Sequence, residues 1–291
     1  MVLETFISPF KAEKKPWELI FMGFLFVLVG SLLGVMIFPN DPSLVVVFLI
    51  TLASVPLLFN LIKLEEKADV EGNTETEIMS HHARALFAYF ALFLGFVLGF
   101  VFLFTFLPQS IADNIFQSQI EEYLVINGNV TGNATQSASA DISRFFSILS
   151  NNLKVLVFSI LFSFLYGAGA VFILAWNASV IAVAIGILVK TALAKIAITQ
   201  GSAVFGGYFS TFFSPILHFA VHGVPEILSY MVAGLAGGII SVAVIRRDFA
   251  AGRLEKIIVD VADLLLLAFG LLIAAALLEA FVTPHLISLA V

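Results

Sequence analysis

Seven long apolar stretches dominate this sequence of 291 residues. An α-helix needs about 20 apolar residues to cross the hydrocarbon core of a bilayer, which is about 30 Å thick. The chain is 60% hydrophobic and 12% charged and contains 31 Phe, whereas soluble proteins average about 25% charged residues. A soluble domain of this size cannot bury so many apolar side chains. We therefore predict an all-α fold, a polytopic transmembrane helical bundle embedded in a lipid bilayer.

Polar turns, prolines and charged loops separate the predicted spans. These spans are Trp17–Phe38, Leu44–Ile62, Ala85–Leu107, Leu153–Ala175, Ser179–Ile198, Pro225–Ile245 and Ile257–Val282. Residues 203–222 are also apolar, but Gly206, Gly207 and Pro215 interrupt them, which favours a broken or re-entrant segment. The polar stretch 108–150 divides the chain into an N-terminal three-span half, residues 1–107, and a C-terminal half, residues 151–291.

Basic residues concentrate on one predicted side of the membrane. Ten of the 14 Lys and Arg residues lie in the N-terminal segment and in the loops at 63–84 and 246–256. Because cytoplasmic loops carry an excess of Lys and Arg, we expect a multi-pass protein of the cell membrane with a cytoplasmic N-terminus. The loop at 108–150 and the C-terminus are then external. Asn129 and Asn133 each begin an Asn-x-Thr sequon in that loop, which indicates glycosylation or simply a polar loop.

Several classes of function are disfavoured by composition. The net charge of −6 and the absence of a basic stripe argue against nucleic-acid binding. The chain contains no Cys, which removes disulfides, thiolate nucleophiles and Cys-ligated metals. It also lacks the Gly-x-x-x-x-Gly-Lys-Ser/Thr sequence of phosphate-binding loops, so any transport energy has to come from gradients or from a separate subunit.

Ionisable side chains inside the predicted spans are the candidate functional residues. Such groups are costly in hydrocarbon unless they are paired, and they commonly mark solute or ion sites. The candidates for a solute or ion site are His218, His222, Glu226, Lys190, Lys195 and Glu279. Most of them lie near the predicted external interface, which favours a polar site that opens outward. The alternative is that Lys195 and Glu279 simply extend to the lipid headgroups.

The densest group of candidates is His218, His222 and Glu226. On a continuous helix their spacing of four residues places them on one stripe, where two imidazoles and a carboxylate suit a divalent metal. We therefore include a metal as the one possible cofactor. Gly223 and Pro225 instead favour a break in the helix. In that case His222 or Glu226 forms hydrogen bonds with the backbone groups that the break leaves unpaired, or the free backbone N–H groups bind a solute.

The C-terminal half resembles the stage II sporulation protein M family. The resemblance covers roughly residues 150–245 and rests on short motifs. These are Asn151-Asn152 opening a span, Gly167-Ala-Gly169 within it, Asn177 at the following turn, His222-Gly223-Val-Pro225-Glu226, and the small-residue run from Ala233 to Gly237. The resemblance implies a multi-pass membrane protein. In spore-forming bacteria it implies a scaffold that holds cell-wall hydrolases at a septum, but a shared fold transfers such a role only weakly.

Three functions remain open from the sequence. The first is binding or passage of an ion or small solute at a polar site in the outer half of the membrane. The second is a non-catalytic scaffold whose partners are other membrane proteins or further copies of the chain. The third is a metal-dependent intramembrane hydrolase that uses His218, His222 and Glu226. Because the chain lacks Cys and any Ser-His-Asp-like motif, an enzyme is the least favoured of these three classes.

Overall fold

Helices form all of the secondary structure that the structure describes. The computed structural model describes residues 16–71, 75–132, 138–166, 170–199, 205–246 and 253–284. The helices are α1 (Pro16–Ile37), α2 (Pro42–Glu71), α3 (Glu75–Phe106), α4 (Gln109–Ile115), α5 (Gln117–Gly132), α6 (Ala138–Tyr166), α7 (Ala170–Thr199), α8 (Phe205–Arg246) and α9 (Arg253–Leu277), with a π-helical turn at Leu278–Val282. The prediction of an all-α fold is confirmed.

Seven of the described helices are long and apolar enough to cross a membrane. Their candidate spans are Trp17–Ile37, Pro42–Ile62, His82–Phe106, Asp141–Phe164, Ala170–Thr191, Ala220–Ile245 and Glu255–Val282. They contain 21 to 28 residues, which at 1.5 Å per residue is about 32 to 42 Å. This length matches the thickness of a bilayer, so the prediction of a seven-span bundle is confirmed.

Two helices organise the packing of the bundle. Helix α3 packs along α1 and α7, and helix α8 packs along α9 and α6. A single apolar core includes Leu92 and Phe96 from α3 together with Met231 and Leu235 from α8. Because α8 carries the densest group of candidate residues, its buried position fixes those side chains relative to the neighbouring helices.

Glycines allow close contact at two of these helix pairs. A Cβ on Gly237 of α8 would lie 2.7 Å from the carbonyl oxygen of Ile160 in α6. A Cβ on Gly95 of α3 would overlap the carbonyl oxygen of Ile20 in α1, where Gly23 lies opposite. Small residues let membrane helices approach closely in this way. The small-residue run of the sixth span therefore has a packing role.

Helix α8 is continuous where the sequence favours a break. Its helix runs from Phe205 to Arg246 and includes Gly223 and Pro225 in its interior. A helix in lipid tolerates a proline when neighbouring groups satisfy the freed backbone. Gly223 has open space where a Cβ would be, so it serves neither a turn nor a close contact. The break predicted for 203–222 is therefore absent from residue 205 onward, and residues 203–204 lie outside the described residues.

The turn between the fourth and fifth spans also differs from the prediction. Helix α6 ends at Tyr166 and α7 begins at Ala170, so Asn177 lies inside α7 and not at a turn. Its Nδ2 donates a hydrogen bond of 2.8 Å to the carbonyl oxygen of Ile173, which satisfies the amide without a break in the helix. Asn151 and Asn152 likewise lie within α6, because that helix begins at Ala138. The Gly-Ala-Gly segment, residues 167–169, lies outside the described residues.

The predicted external stretch 108–150 is helical over much of its length. It contains α4, α5 and the beginning of α6. Ser43, at the start of α2, donates a hydrogen bond of 2.7 Å to Gln119 in α5. Asn114 donates a hydrogen bond of 2.9 Å to the carbonyl oxygen of Pro39. These bonds attach the stretch to the turn between α1 and α2.

Substitution of Gly95 by Val tests the close contact between α1 and α3. The added side chain meets the backbone of α1, so we expect a loss of about 1 to 3 kcal/mol in the free energy of unfolding. Unfolding by SDS titration in mild detergent, followed by circular dichroism, measures this loss. Gly270→Val is the matched control, because nothing lies within 4 Å of a Cβ at Gly270. Equal losses in the two variants contradict the proposed role of Gly95.

Candidate functional site

Polar side chains from two spans meet at one end of the bundle. His222, Glu226 and Tyr230 follow one another at intervals of four residues on α8, and Glu279 and Thr283 come from the end of the last span. Oε1 of Glu226 accepts a hydrogen bond of 2.9 Å from the Tyr230 hydroxyl. We call these five residues the polar cluster, and we call this end of the bundle the site end.

The π-helical turn at Leu278–Val282 positions Glu279 and Thr283, the two residues of the cluster that follow α9. The Thr283 hydroxyl donates a hydrogen bond of 3.1 Å to the carbonyl oxygen of Leu278, five residues earlier. The same hydroxyl oxygen lies 3.2 Å from Nδ1 of His222. A hydroxyl has only one proton to donate, so with its proton on Leu278 it accepts from the Nδ1–H of His222. Wide turns of this kind are frequent at functional sites.

The two carboxyl groups of the cluster interact electrostatically. Glu279 acts on Glu226 and on Tyr230. Arg144 of α6 acts on Glu279, and its guanidinium lies 3.9 Å from Asp141. Carboxylates repel each other more strongly in a medium of low dielectric constant than in water. The positive charge of Arg144 offsets part of this repulsion at Glu279.

A hydrogen bond to its backbone and the burial of its side chain hold Tyr230 in place. The Ser159 hydroxyl of α6 donates a hydrogen bond of 3.0 Å to the carbonyl oxygen of Tyr230. Tyr230 itself is fully buried. Its hydroxyl therefore has a fixed position from which it donates to Glu226, and one oxygen of that carboxyl group is occupied before any ligand binds.

Lys190 lies in a different group of residues. Its Nζ donates a hydrogen bond of 2.8 Å to Oε1 of Gln109 in α4 and lies 4.6 Å from the centre of the Phe104 ring. Gln109 in turn donates a hydrogen bond of 2.6 Å to Asp113. Among the described residues, Lys190 has no contact with the polar cluster. It attaches α4 to α7 and receives a cation–π contact there.

Four other predicted site residues have side chains outside the described part of the chain. His218, Lys195 and Asn129 belong to helices α8, α7 and α5, but nothing is described of their side chains. Asn133 lies wholly outside the described residues. The described side chains contain no group of three His, Cys, Asp or Glu that suits a metal ion. The metal set that includes His218 therefore stays a prediction.

The structure adds residues that the sequence analysis did not select. Tyr230 continues the four-residue spacing of His218, His222 and Glu226, so that pattern was sufficient to find it. Thr283 and Arg144 carry no such signal, because only the fold brings them to the cluster. At the opposite end of the bundle, Nε2 of the buried His82 lies 3.0 Å from Oδ2 of Asp260. This pair joins α3 to α9.

These features define a multi-pass α-helical membrane protein whose last two spans bring polar side chains together at one end. The family model for Stage II sporulation protein M matches residues 22–284, which is nearly the whole chain. The protein belongs to this family, as its C-terminal motifs predicted. No curated protein and no solved structure gives a significant match to the chain.

A double-mutant cycle tests the contact between His82 and Asp260. We expect a coupling of about 0.5 to 3 kcal/mol in the free energy of unfolding when His82→Ala and Asp260→Ala are compared singly and together. SDS titration measures each value. The control cycle pairs His82→Ala with Asp263→Ala, because Asp263 is exposed on the same helix. Additive effects in both cycles contradict an interaction between His82 and Asp260.

Proposed function

We propose that this member of the family binds a small cation in the polar cluster and passes it across the membrane. The observation that carries the proposal is the contact between the last two spans, where the Thr283 hydroxyl oxygen lies 3.2 Å from Nδ1 of His222. Glu226 follows His222 by four residues and Glu279 precedes Thr283 by four residues, so each lies one helical turn from this contact. Ionisable residues inside spans commonly mark the paths of ions and protons. The proposal favours a cation over an anion, because among the described residues the two carboxyl groups of the cluster are accompanied by one basic side chain, Arg144.

The remaining cluster atoms supply further acceptors for a cation. Because Nδ1 of a neutral His222 donates to Thr283, Nε2 carries the lone pair of the ring. The Tyr230 hydroxyl donates to one oxygen of Glu226 and keeps its own lone pairs free to accept. Among the described residues, Arg144 acts on Glu279 and its guanidinium also lies 3.9 Å from Asp141, so the carboxyl groups of this region outnumber its described positive charge. An incoming cation therefore complements the charge of the site.

The proposed orientation places the cluster toward the outside of the cell membrane. This orientation rests on the distribution of Lys and Arg, since basic loops are retained in the cytoplasm. The sequence contains no phosphate-binding loop for a nucleotide, so a gradient drives the proposed movement. The cation enters from the external side and meets Glu279 and Glu226 before the buried part of α8.

Carboxylate-to-amide variants test the proposed passage. Proteoliposomes that contain the purified protein receive separate gradients of H⁺, Na⁺ and K⁺, and the decay of each is followed with an entrapped indicator dye. We expect faster decay of at least one gradient than in protein-free liposomes. Glu226→Gln and Glu279→Gln remove the charge that holds the cation, so we expect each to slow this decay about tenfold, a change of about 1.4 kcal/mol.

Asp263→Asn is the matched control, because it makes the same chemical change at an exposed position of α9 far from the cluster. We expect its rate to equal that of the wild-type protein. Decay no faster than in protein-free liposomes overturns the proposal. If the glutamine variants also co-purify with the same membrane proteins as the wild type, the scaffold hypothesis takes its place.

Cysteine labelling tests the proposed orientation. The chain has no native Cys, so each single substitution gives one reactive site. Asp41→Cys lies in the exposed turn between α1 and α2, and Glu255→Cys lies at the exposed start of α9. In intact cells, we expect a membrane-impermeant maleimide to label Cys at position 41 only. Labelling of position 255 without permeabilisation contradicts the orientation.

A further inference from the structure

Helix α6 carries an exposed polar stripe on a span that is otherwise apolar. The stripe consists of Ser143, Ser147, Ser150, Asn151 and Lys154, which are all exposed. Their spacings of three and four residues place them on one face of the helix. They lie within the candidate span Asp141–Phe164, which is where lipid would otherwise surround this face.

The position of Lys154 makes the stripe unusual. Lys154 is the last polar residue of the stripe, and the exposed residues that follow it on this face are apolar. Among the described residues, none forms a hydrogen bond or an ion pair with it. Lys154 therefore lies where the exposed face of the helix changes from polar to apolar side chains, which is where long basic side chains of membrane helices extend to the lipid headgroups.

The rest of α6 prevents this face from turning inward. On the opposite face, Asn152 is buried, Ser159 bonds to the carbonyl oxygen of Tyr230, and the Ser163 hydroxyl accepts a hydrogen bond of 2.9 Å from the backbone N–H of Ala170. These contacts hold α6 against α7 and α8. The stripe therefore faces whatever surrounds the protein.

Apolar side chains continue the same face beyond Lys154. Phe158 and Leu161 are 53% and 48% exposed, and they follow Lys154 by four and seven residues. The face thus offers hydroxyl and amide groups, then one positive charge, and then an apolar surface. We propose that it binds an anionic phospholipid, with the phosphate against Lys154 and Asn151 and an acyl chain against Phe158 and Leu161.

Charge favours a lipid over a second copy of the chain. Two copies in one membrane related by a two-fold axis present the same patch to each other. Such a contact sets Lys154 opposite Lys154, and the stripe contains no acidic residue to compensate. An anionic headgroup supplies the missing negative charge. This inference concerns α6 alone and does not depend on cation binding in the polar cluster.

Native mass spectrometry with added lipid tests the inference. The full-length protein in mild detergent is titrated with phosphatidylglycerol and, separately, with phosphatidylcholine. We expect preferential binding of phosphatidylglycerol. Lys154→Gln weakens this binding about fivefold, the effect of one basic residue beside anionic lipid, and Lys154→Arg retains it. Lys256→Gln is the matched control, because Lys256 is exposed on α9 outside the stripe, and we expect it to bind as the wild type does.

Two outcomes overturn the inference. In the first, Lys154→Gln and Lys256→Gln weaken phosphatidylglycerol binding equally, or the wild-type protein binds the two lipids equally well. Either result shows that the stripe has no selective site for an anionic lipid. In the second, Asn151→Cys, the only Cys in the chain, forms disulfide-linked dimers in high yield in native membranes, which shows that a second copy covers the stripe. A low dimer yield together with selective loss in Lys154→Gln supports the lipid.

Discussion

The high free energy of an unpaired polar group in hydrocarbon governs this structure. No water reaches the bilayer core to satisfy backbone groups, so the spans are helical. Polar side chains are subject to the same constraint, and some of them find a hydrogen-bond partner within their own helix. Thr51 and Ser54 of α2 donate hydrogen bonds of 2.8 Å to carbonyl oxygens four residues earlier, as Asn177 does in α7. Other polar groups have a partner on another helix, as the Ser159 hydroxyl of α6 does at the carbonyl oxygen of Tyr230.

Among the described residues, the polar cluster and the His82–Asp260 pair are two such contacts between spans. Each joins α9 to another span, at opposite ends of the bundle. The intervening region contains tightly packed apolar side chains and close glycine contacts. Helix α9 therefore has polar contacts at both of its ends, whereas α8 packs along α9 and α6 mainly through buried apolar side chains. A cation that binds between Glu226 and Glu279 acts on the contact between these two helices.

The sequence was sufficient to predict the class of fold, the number of spans and the family. These depend on apolar length and on local motifs, which a single sequence contains. It was not sufficient to predict that α8 is continuous through Gly223 and Pro225. Prolines that end helices in water are tolerated in lipid when other groups satisfy the backbone. The turn expected at Asn177 was wrong for a related reason, since an asparagine amide bonds within its own helix.

The candidate site was predictable in part for the same reasons. The four-residue spacing of His222 and Glu226 survives because α8 is continuous, and it extends to Tyr230. Glu279 lies in the π-helical turn, four residues before Thr283. Lys190 was selected with them because it is an ionisable residue inside a span, and that property does not determine which face of a helix a residue occupies. Thr283 and Arg144 enter the site only through the three-dimensional arrangement of α9 and α6.

The length of α8 has a mechanical consequence. It contains 42 residues, about 63 Å at 1.5 Å per residue, which is about twice the thickness of the hydrocarbon core. His222 lies 17 residues from its first residue, so a lever arm of about 26 Å precedes the cluster. A displacement of the far end of this arm therefore acts on the segment of α8 that carries Glu226, and Pro215 and Pro225 are the positions at which the helix bends most readily.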